Sequence, residues 1–357
     1  MATTPERALR ASSAIQETKA TAAYVPELLV RTILLSLVRV DGVECDGTVS
    51  TAAAPAVLAF PLGYSDGVGP AGTLTLSPLS NLRGLLPAGV SPWPPGQPLW
   101  TGIIANEDGT ATLSTLVAAT HTLAVSCGTS TVPITVHIVE VARLECAGTT
   151  SAVEHTVEQD GANVPVGGPD TVITATLNPA GAPLPAEYLA WTGNGVVGNG
   201  LTATLPTTTT GSRLVTLTCG LDVTRIYVNV VGIASLHCCG ETATPATPGS
   251  PAAPGSLVIP LGHNGGSIQI TAVHTPAEAS FPDNTPVWST NVTGTGISVH
   301  RSTDDSGMYT VTATCGTSVA TFHIRIVQVA SLTCGDLVST TSAPGPGQTI
   351  NVPVGHN

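Results

Sequence analysis

Residues 127–146 read CGTSTVPITVHIVEVARLEC, and the same pattern returns as CGLDVTRIYVNVVGIASLHC at 219–238 and as CGTSVATFHIRIVQVASLTC at 315–334. The two cysteines of each copy are 19 positions apart. Apolar and polar residues alternate between them, as in Phe322, Ile324 and Ile326 against His323 and Arg325, and this period of two predicts a strand with one buried face. No Gly/Pro-rich linker precedes the second cysteine, so the pattern predicts short joints of equal length.

The internal repeat provides a register for the whole chain. Each unit opens with a cysteine, continues with an apolar strand that contains Pro, then Val or Leu, then Gly, and has a lone tryptophan before its closing cysteine. The unit length is about 95 residues. The first unit is longer because it carries an insertion around NLRGLLPAGVSPWPPGQP. The predicted organisation is an N-terminal attachment segment at 1–32, units at 33–141, 142–233 and 234–329, and an incomplete fourth unit at 330–357.

Short runs rich in Val, Thr and Ile, separated by Gly, Pro, Asn and Asp, fill every unit, and almost no helical period is present. Units of this size and pattern are typical of antiparallel β-sandwiches. The first 25 residues differ, because Thr4, Pro5 and Glu6 form a helix-start signal. The sequence therefore predicts an all-β chain of tandem sandwiches with a short, partly helical N-terminal extension.

The repeat resembles the bacterial and phage immunoglobulin-like (Big-type) tandem domains. The resemblance rests on the tryptophan of the third core strand, the cysteine of the penultimate strand, and DSGMYTVTATC at 305–315, which is similar to the approach to that cysteine in immunoglobulin domains. Tyr309 departs from the pattern by lying six residues before the cysteine rather than two, and His121 and Arg213 occupy its position in the other units. The resemblance covers roughly residues 33 to 334 and implies tandem immunoglobulin-like sandwiches.

The strand direction favours one set of cysteine pairings. Ten or more extended residues separate neighbouring cysteines by more than roughly 30 Å, beyond the ~4.4–6.8 Å that a disulfide spans between Cα atoms. Because the first strand of a unit starts where its last hairpin turns, the opening and closing cysteines of one unit are predicted to meet. The alternative is that all eight cysteines are reduced thiols packed as small apolar residues. The predicted pairs are Cys45–Cys127, Cys146–Cys219 and Cys238–Cys315, with Cys239 and Cys334 unpaired.

The lone tryptophans of the repeat precede the closing cysteines by 27 or 28 positions. Because they recur at one register in units whose loops differ, they are predicted to be buried core residues rather than ligand contacts. These residues are Trp100, Trp191 and Trp288.

The segment before the first repeat is predicted to make the contact with other protein subunits, because its apolar run would otherwise lie in water. Its residues resemble a last strand without a preceding domain, which either extends the first sandwich or adds to the sheet edge of a neighbour. It lacks the apolar core of a secretory signal, and no stretch reaches the length of a membrane span. The predicted assembly residues are Leu28, Leu29, Val30, Ile33, Leu34 and Leu35.

Other candidate sites are best interpreted as structural. His237 with its two neighbouring cysteines lacks the paired spacing of a zinc site, the Gly-His-Asn copies at 262–264 and 355–357 suit turns, and Asp304 and Asp305 have no matching pair in other units. No nucleotide-binding or hydrolase motif occurs, so no cofactor and no enzymatic activity are predicted. Asn291 begins a glycosylation sequon that is common by chance.

Composition restricts the function classes further. The net charge of −12 argues against nucleic acid as a partner, and the low aromatic content and many Gly, Pro and Thr residues suit a structural protein. The leading prediction is an N-terminally anchored appendage of a phage or phage-like particle, a fibre or a tail or head decoration, at the virion surface. The alternatives are an extracellular bacterial adhesin or self-assembling filament subunit, and a carbohydrate-binding array, with cell-surface glycans as a further partner at the distal end.

Overall fold

The computed structural model describes residues 37–86, 90–151, 160–247, 249–334 and 337–340. The regular secondary structure of this part of the chain is almost entirely β, arranged as tandem immunoglobulin-like sandwiches, which confirms the predicted fold class. The predicted N-terminal helix, the assembly residues between Leu28 and Leu35, and most of the predicted fourth unit lie outside the described residues. No helix among the described residues is long and apolar enough to cross a membrane.

The first repeat has eight strands in two sheets. One sheet has the order β2-β1-β4-β6 and the other β3-β8-β7-β5, with β3 parallel to β8. The strands are β1 (Val40–Cys45), β2 (Thr48–Ser50), β3 (Ala56–Pro61), β4 (Thr73–Ser80), β5 (Leu99–Thr101), β6 (Ala111–Ser114), β7 (Ala119–Cys127) and the first part of β8 (Ser130–Cys146).

The second repeat begins within β8, and its sheets are β9-β8-β11-β14-β13 and β10-β16-β15-β12. A 3-10 turn at Ala186–Tyr188 precedes β12. Its further strands are β9 (Thr149–Ser151), β10 (Ala162–Pro165), β11 (Thr171–Asn178), β12 (Leu189–Thr192), β13 (Val197–Asn199), β14 (Thr202–Leu205), β15 (Gly211–Cys219) and the first part of β16 (Asp222–Cys238).

The third repeat begins within β16 and has the sheets β17-β16-β19-β21 and β18-β23-β22-β20. A short helical turn spans His263–Gly266, and the hairpin β24–β25 follows the repeat. The strands are β17 (Glu241–Ala243), β18 (Gly255–Pro260), β19 (Ser267–Thr275), β20 (Val287–Trp288), β21 (Ser298–Ser302), β22 (Gly307–Cys315), β23 (Ser318–Val327), β24 (Ser331–Cys334) and β25 (Leu337–Thr340).

The core of each repeat lies between its two sheets and follows from the period of two. In β15, for example, Val215, Leu217 and Cys219 are buried while the residues between them are half-buried. The side chains of the facing sheet interdigitate with them, as expected for a sandwich. The fully buried large residues of the second repeat include Leu144, Ile173, Leu205, Leu217 and Ile226.

The repeated tryptophans lie on β5, β12 and β20, the strands next to the penultimate strand. They are half-buried rather than buried, because these are short edge strands, although Trp191 and Trp288 pack against the cores of their repeats. Each indole N–H donates to the carbonyl of a glycine that lies 8 or 9 residues later. These bonds are Trp100 to Gly109 (2.9 Å), Trp191 to Gly200 (2.9 Å) and Trp288 to Gly296 (2.8 Å).

In each repeat, a buried threonine fixes the corner before the penultimate strand. The sequence patterns considered above did not point to these residues. The threonine carbonyl accepts a hydrogen bond from the glycine of the Pro-x-Gly segment, and its hydroxyl donates to the carbonyl of the residue after that glycine. The same threonine occurs 12 positions before each closing cysteine, so a sequence signal was present. The residues are Thr115, Thr207 and Thr303, all buried.

The variable position that carries Tyr309 serves the same corner. The Tyr309 hydroxyl donates to the carbonyl of Asp305, four residues upstream, at 3.2 Å, as in the tyrosine corner of immunoglobulin domains. In the second repeat Arg213 replaces it and donates to the carbonyls of Pro206 and Thr209. The second and third repeats therefore keep a hydrogen bond across this corner with different residues.

Replacing Trp191 separates the packing of its ring from its hydrogen bond. We expect Trp191→Phe, which keeps a ring, to lower the free energy of unfolding by about 1 kcal/mol. Trp191→Ala should lower the free energy of unfolding by about 2–4 kcal/mol. This loss is somewhat smaller than that for truncating a fully buried aromatic residue, because the ring is half-exposed. Urea unfolding followed by circular dichroism measures both changes. Equal losses for the two variants would show that the ring contributes no packing energy.

Candidate functional site: the joints between repeats

Two strands pass from one repeat into the next without a linker. In β8, residues up to Val139 pair with β3 and β7 of the first repeat, whereas residues from Glu140 onward pair with β11 of the second. In β16 the change occurs between Val231 and Gly232. Both strands have 17 residues, so successive repeats share one continuous strand at each joint.

A backbone hydrogen bond closes each joint beside the shared strand. The closing turn, the hairpin turn after the closing cysteine, reaches back to the Pro-x-Gly segment of the preceding repeat. The amide of Leu221 donates to the Leu62 carbonyl at 2.9 Å, and the amide of Thr317 donates to the Val166 carbonyl at 2.8 Å. The bond occurs at the same register in both joints and therefore belongs to the repeat.

Two glycines make this close approach possible at each joint. A Cβ on Gly220 would collide with the carbonyl of Leu62, and a Cβ on Gly63 would collide with the side chain of Leu221. Gly316 and Gly167 face Val166 and Thr317 in the same way. The φ angle of Gly220 is 64°, which also favours glycine on conformational grounds.

The thiol of the closing cysteine makes a third contact with the shared strand. Cys219 Sγ lies 3.7 Å from the Val139 carbonyl oxygen, and Cys315 Sγ lies 3.3 Å from that of Val231. The Val139 carbonyl also accepts the amide of Leu62, at 2.8 Å. One buried carbonyl at the point where the strand changes repeats therefore binds groups of both repeats.

Each joint has one additional contact of its own. At the first joint Tyr64 and Tyr188 form an edge contact with centroids 5.4 Å apart, and the Tyr64 hydroxyl donates to Asp46 at 2.8 Å. Burial and this hydrogen bond raise the pKa of Tyr64, so the hydroxyl stays protonated. At the second joint the Asn163 side-chain amide donates to the Ser280 hydroxyl at 3.0 Å.

The disulfide pairings predicted from the sequence are not formed. None of the seven cysteines whose side chains are described forms a disulfide; six of them are buried, and Cys239 is exposed. The prediction placed the opening cysteine at the start of the first strand, but Cys146 ends that strand while Cys219 contacts its beginning at Val139. Seven extended residues separate the two positions by roughly 20 Å. The same arrangement separates Cys238 from Cys315, and Cys45 and Cys127 likewise lie apart because the closing turn contacts Val40 through Ser130.

Cys239 and Cys334 lie outside the predicted pairs. Cys239 is exposed, and its sulfur lies 3.9 Å from that of Cys238. Cys334 ends β24, but its side chain lies outside the described residues.

The other candidate residues have structural partners. The ring nitrogens of His237 lie 2.9 and 3.0 Å from the hydroxyls of Ser235 and Thr242. Asp304 accepts from the Ser302 hydroxyl at 3.0 Å, and the Asn291 amide donates to the Thr310 carbonyl at 2.8 Å. Within the described ranges, no group of three or more His, Cys, Asp or Glu side chains is placed to hold a metal ion.

Comparison with known proteins finds similarity in fold alone. No family model matches the chain, and no curated protein matches it. Among solved structures, the I9–I11 tandem of titin covers 80% of this chain and 100% of its own at 11% identity and a TM-score of 0.26. Immunoglobulin domains 1–4 of Sidekick-1 cover 77% of this chain and 74% of their own at 12% identity and a TM-score of 0.22. Domains 4–9 of the surface layer protein SbsC cover 74% of this chain and 44% of their own at 14% identity and a TM-score of 0.18.

Substituting the closing-turn glycine should open a joint. Gly220→Ala adds a Cβ that collides with the Leu62 carbonyl, so we expect the Leu221 amide to exchange with solvent at least about tenfold faster through local opening. Gly128→Ala is the matched control, because Gly128 has a φ of 61° and no atom of the described residues lies within 4 Å of an added Cβ. Both variants carry the same backbone strain. Hydrogen exchange of the Leu221 amide that is equally fast in both variants would contradict a role of the glycine in the joint.

The thiols should differ sharply in reactivity. In the folded protein we expect a maleimide to modify the exposed Cys239 first and the buried cysteines only after denaturation. Burial, with smaller contributions from nearby Asp46 and Asp66, raises the pKa of Cys45 to about 12. Burial and Asp222 raise the pKa of Cys219 to about 11. Mass spectrometry of unreduced peptides should find no Cys146–Cys219 bridge, and its detection would contradict the strand register described above.

Proposed function

We propose that the chain is a non-enzymatic structural protein, an appendage of a phage or phage-like particle in which immunoglobulin-like repeats of the Big type form a stiff projection. The observation that carries this proposal is the shared strand at each joint. A linker-free joint closed by a second backbone bond restricts rotation between repeats, whereas domains joined by flexible linkers move freely by default. Such a joint suits a spacer that holds its far end at a fixed distance.

The absence of disulfides among the described cysteines supports a particle component over a secreted adhesin. Disulfides form and persist in oxidising compartments, whereas the cytoplasm keeps thiols reduced. A core that contains six separated, buried thiols suits a protein that folds in the host cytoplasm and is released with the particle. We place it at the virion surface. A bacterial cell-surface adhesin or self-assembling extracellular filament subunit is the second candidate, because the same joints would serve it equally well.

The proposed partners are other protein subunits, bound through residues 1–32 and the apolar run between Leu28 and Leu35. This segment precedes the repeats and carries apolar side chains whose burial against a partner is favourable. Cell-surface glycans at the distal end are a further proposed contact. No nucleic-acid partner is proposed, because the chain carries 23 acidic against 11 basic residues.

Two deletions test the anchor and the spacer separately. Removing residues 1–32 should leave folded repeats that no longer assemble, as measured by sedimentation velocity and circular dichroism. Removing residues 140–231 joins Val139 to Gly232 and rebuilds one shared strand in register. It also leaves the Leu62 carbonyl free to accept the Thr317 amide. This variant should assemble normally and appear one repeat shorter by electron microscopy.

Unchanged assembly of the N-terminal deletion would refute the anchor, and an internal deletion without a shorter projection would refute the spacer. Immunogold labelling then distinguishes the two candidate functions. Label on purified particles supports the phage appendage, whereas label confined to the surface of intact bacteria supports the adhesin or filament.

A further inference from the structure

The first repeat has a groove that is lined in part by residues of its insertion. The groove has a volume of about 690 Å³ and lies between the loop that leads into β5 and the loop between β5 and β6. Trp93, Gln97 and Trp100 line it on one side, and Asn106, Glu107 and Asp108 line it on the other. Its volume falls in the range of pockets that bury small ligands.

The groove is a product of the insertion that lengthens the first repeat. Trp93 belongs to that insertion and has no counterpart in the register of the other two units, whereas Trp100 occupies the repeated position. A loop that varies on a repeated scaffold is a common place for a binding site, because the sheets fix its ends without depending on its sequence.

Two half-buried indoles converge on the same glycine. Trp100 donates its N–H to the Gly109 carbonyl at 2.9 Å. A Cβ on Gly109 would lie 3.5 Å from Trp93 Cδ1 and 3.0 Å from Pro98 Cδ, so Trp93 packs over the same residue. The groove therefore has aromatic and proline surface at its base, which suits the apolar face of a ligand.

Several polar atoms of the groove are hydrogen-bond acceptors. The Gln97 side-chain oxygen is buried and has no partner among the described residues. The Asn106 amide donates to the hydroxyls of Thr110 and Thr112, which leaves its oxygen as an acceptor. Glu107 and Asp108 add exposed carboxylates. A ligand that fits must donate several hydrogen bonds and carry no negative charge.

We propose that this groove binds a neutral saccharide. A sugar ring combines an apolar C–H face, which packs on an indole, with hydroxyl groups that donate to carboxylate and amide oxygens. An organic cation would also be attracted to aromatic rings and carboxylates, but a single ammonium group would fill only a small part of the groove. The site is independent of the function proposed above, since either a particle appendage or an adhesin can carry it.

Binding is tested with the full chain on an array of neutral glycans built from glucose, galactose, mannose and N-acetylglucosamine, followed by calorimetric titration of the best oligosaccharide. Trp93→Ala should weaken that binding at least about tenfold, as for other central aromatic contacts. The control is Val197→Ala, at an exposed position of the second repeat outside the groove, which should leave the affinity unchanged.

Gln97→Leu provides a variant whose thermal stability should be kept or raised while its affinity for the oligosaccharide is lowered. It removes a buried acceptor without a partner, so its melting temperature should stay equal or rise, while its affinity for the oligosaccharide falls. Choline chloride serves as the competing probe. No binding to any glycan on the array, binding of choline alone, or an unchanged affinity of folded Trp93→Ala would each overturn the proposal.

Discussion

The carbonyl groups of Val139 and Val231 are the points on which the arrangement of repeats depends. Each lies in the middle of a strand that belongs to two sandwiches, and each accepts from an amide of its own repeat and lies within reach of a thiol of the next. Leaving a buried carbonyl without a hydrogen-bond partner costs on the order of 1–3 kcal/mol. Separating the repeats would expose or orphan these groups, so the hydrogen bonding of the strand itself opposes bending at the joint.

Much of this architecture was readable from the sequence because repetition supplies its own alignment. The alternation within residues 127–146 predicted the strand, and the missing linker predicted the joint. The cysteine pairing failed because spacing along the chain does not tell which end of a strand a residue occupies, and Cys146 proved to lie at the far end from Cys219. The tryptophans are half-buried since edge strands leave one side of an indole in water. Thr115, Thr207 and Thr303 were overlooked, although their constant distance to the closing cysteine was visible. The groove required the structure, because its two walls are separate loops.

The small size of the joint explains how one repeat can acquire a groove without disturbing the next. The Pro-x-Gly segment, the closing turn and the shared strand take part in both joints, and they recur at the same register although most side chains of the shared strand differ. The insertion around Trp93 leads into β5, which among the described strands pairs with β7 alone. Loop length in that region therefore changes neither the register of β8 nor the position of the next closing turn. The joints therefore set the position of each repeat relative to the next. The loops before and after the tryptophan strand can differ in sequence and length between repeats, and so can acquire a binding site.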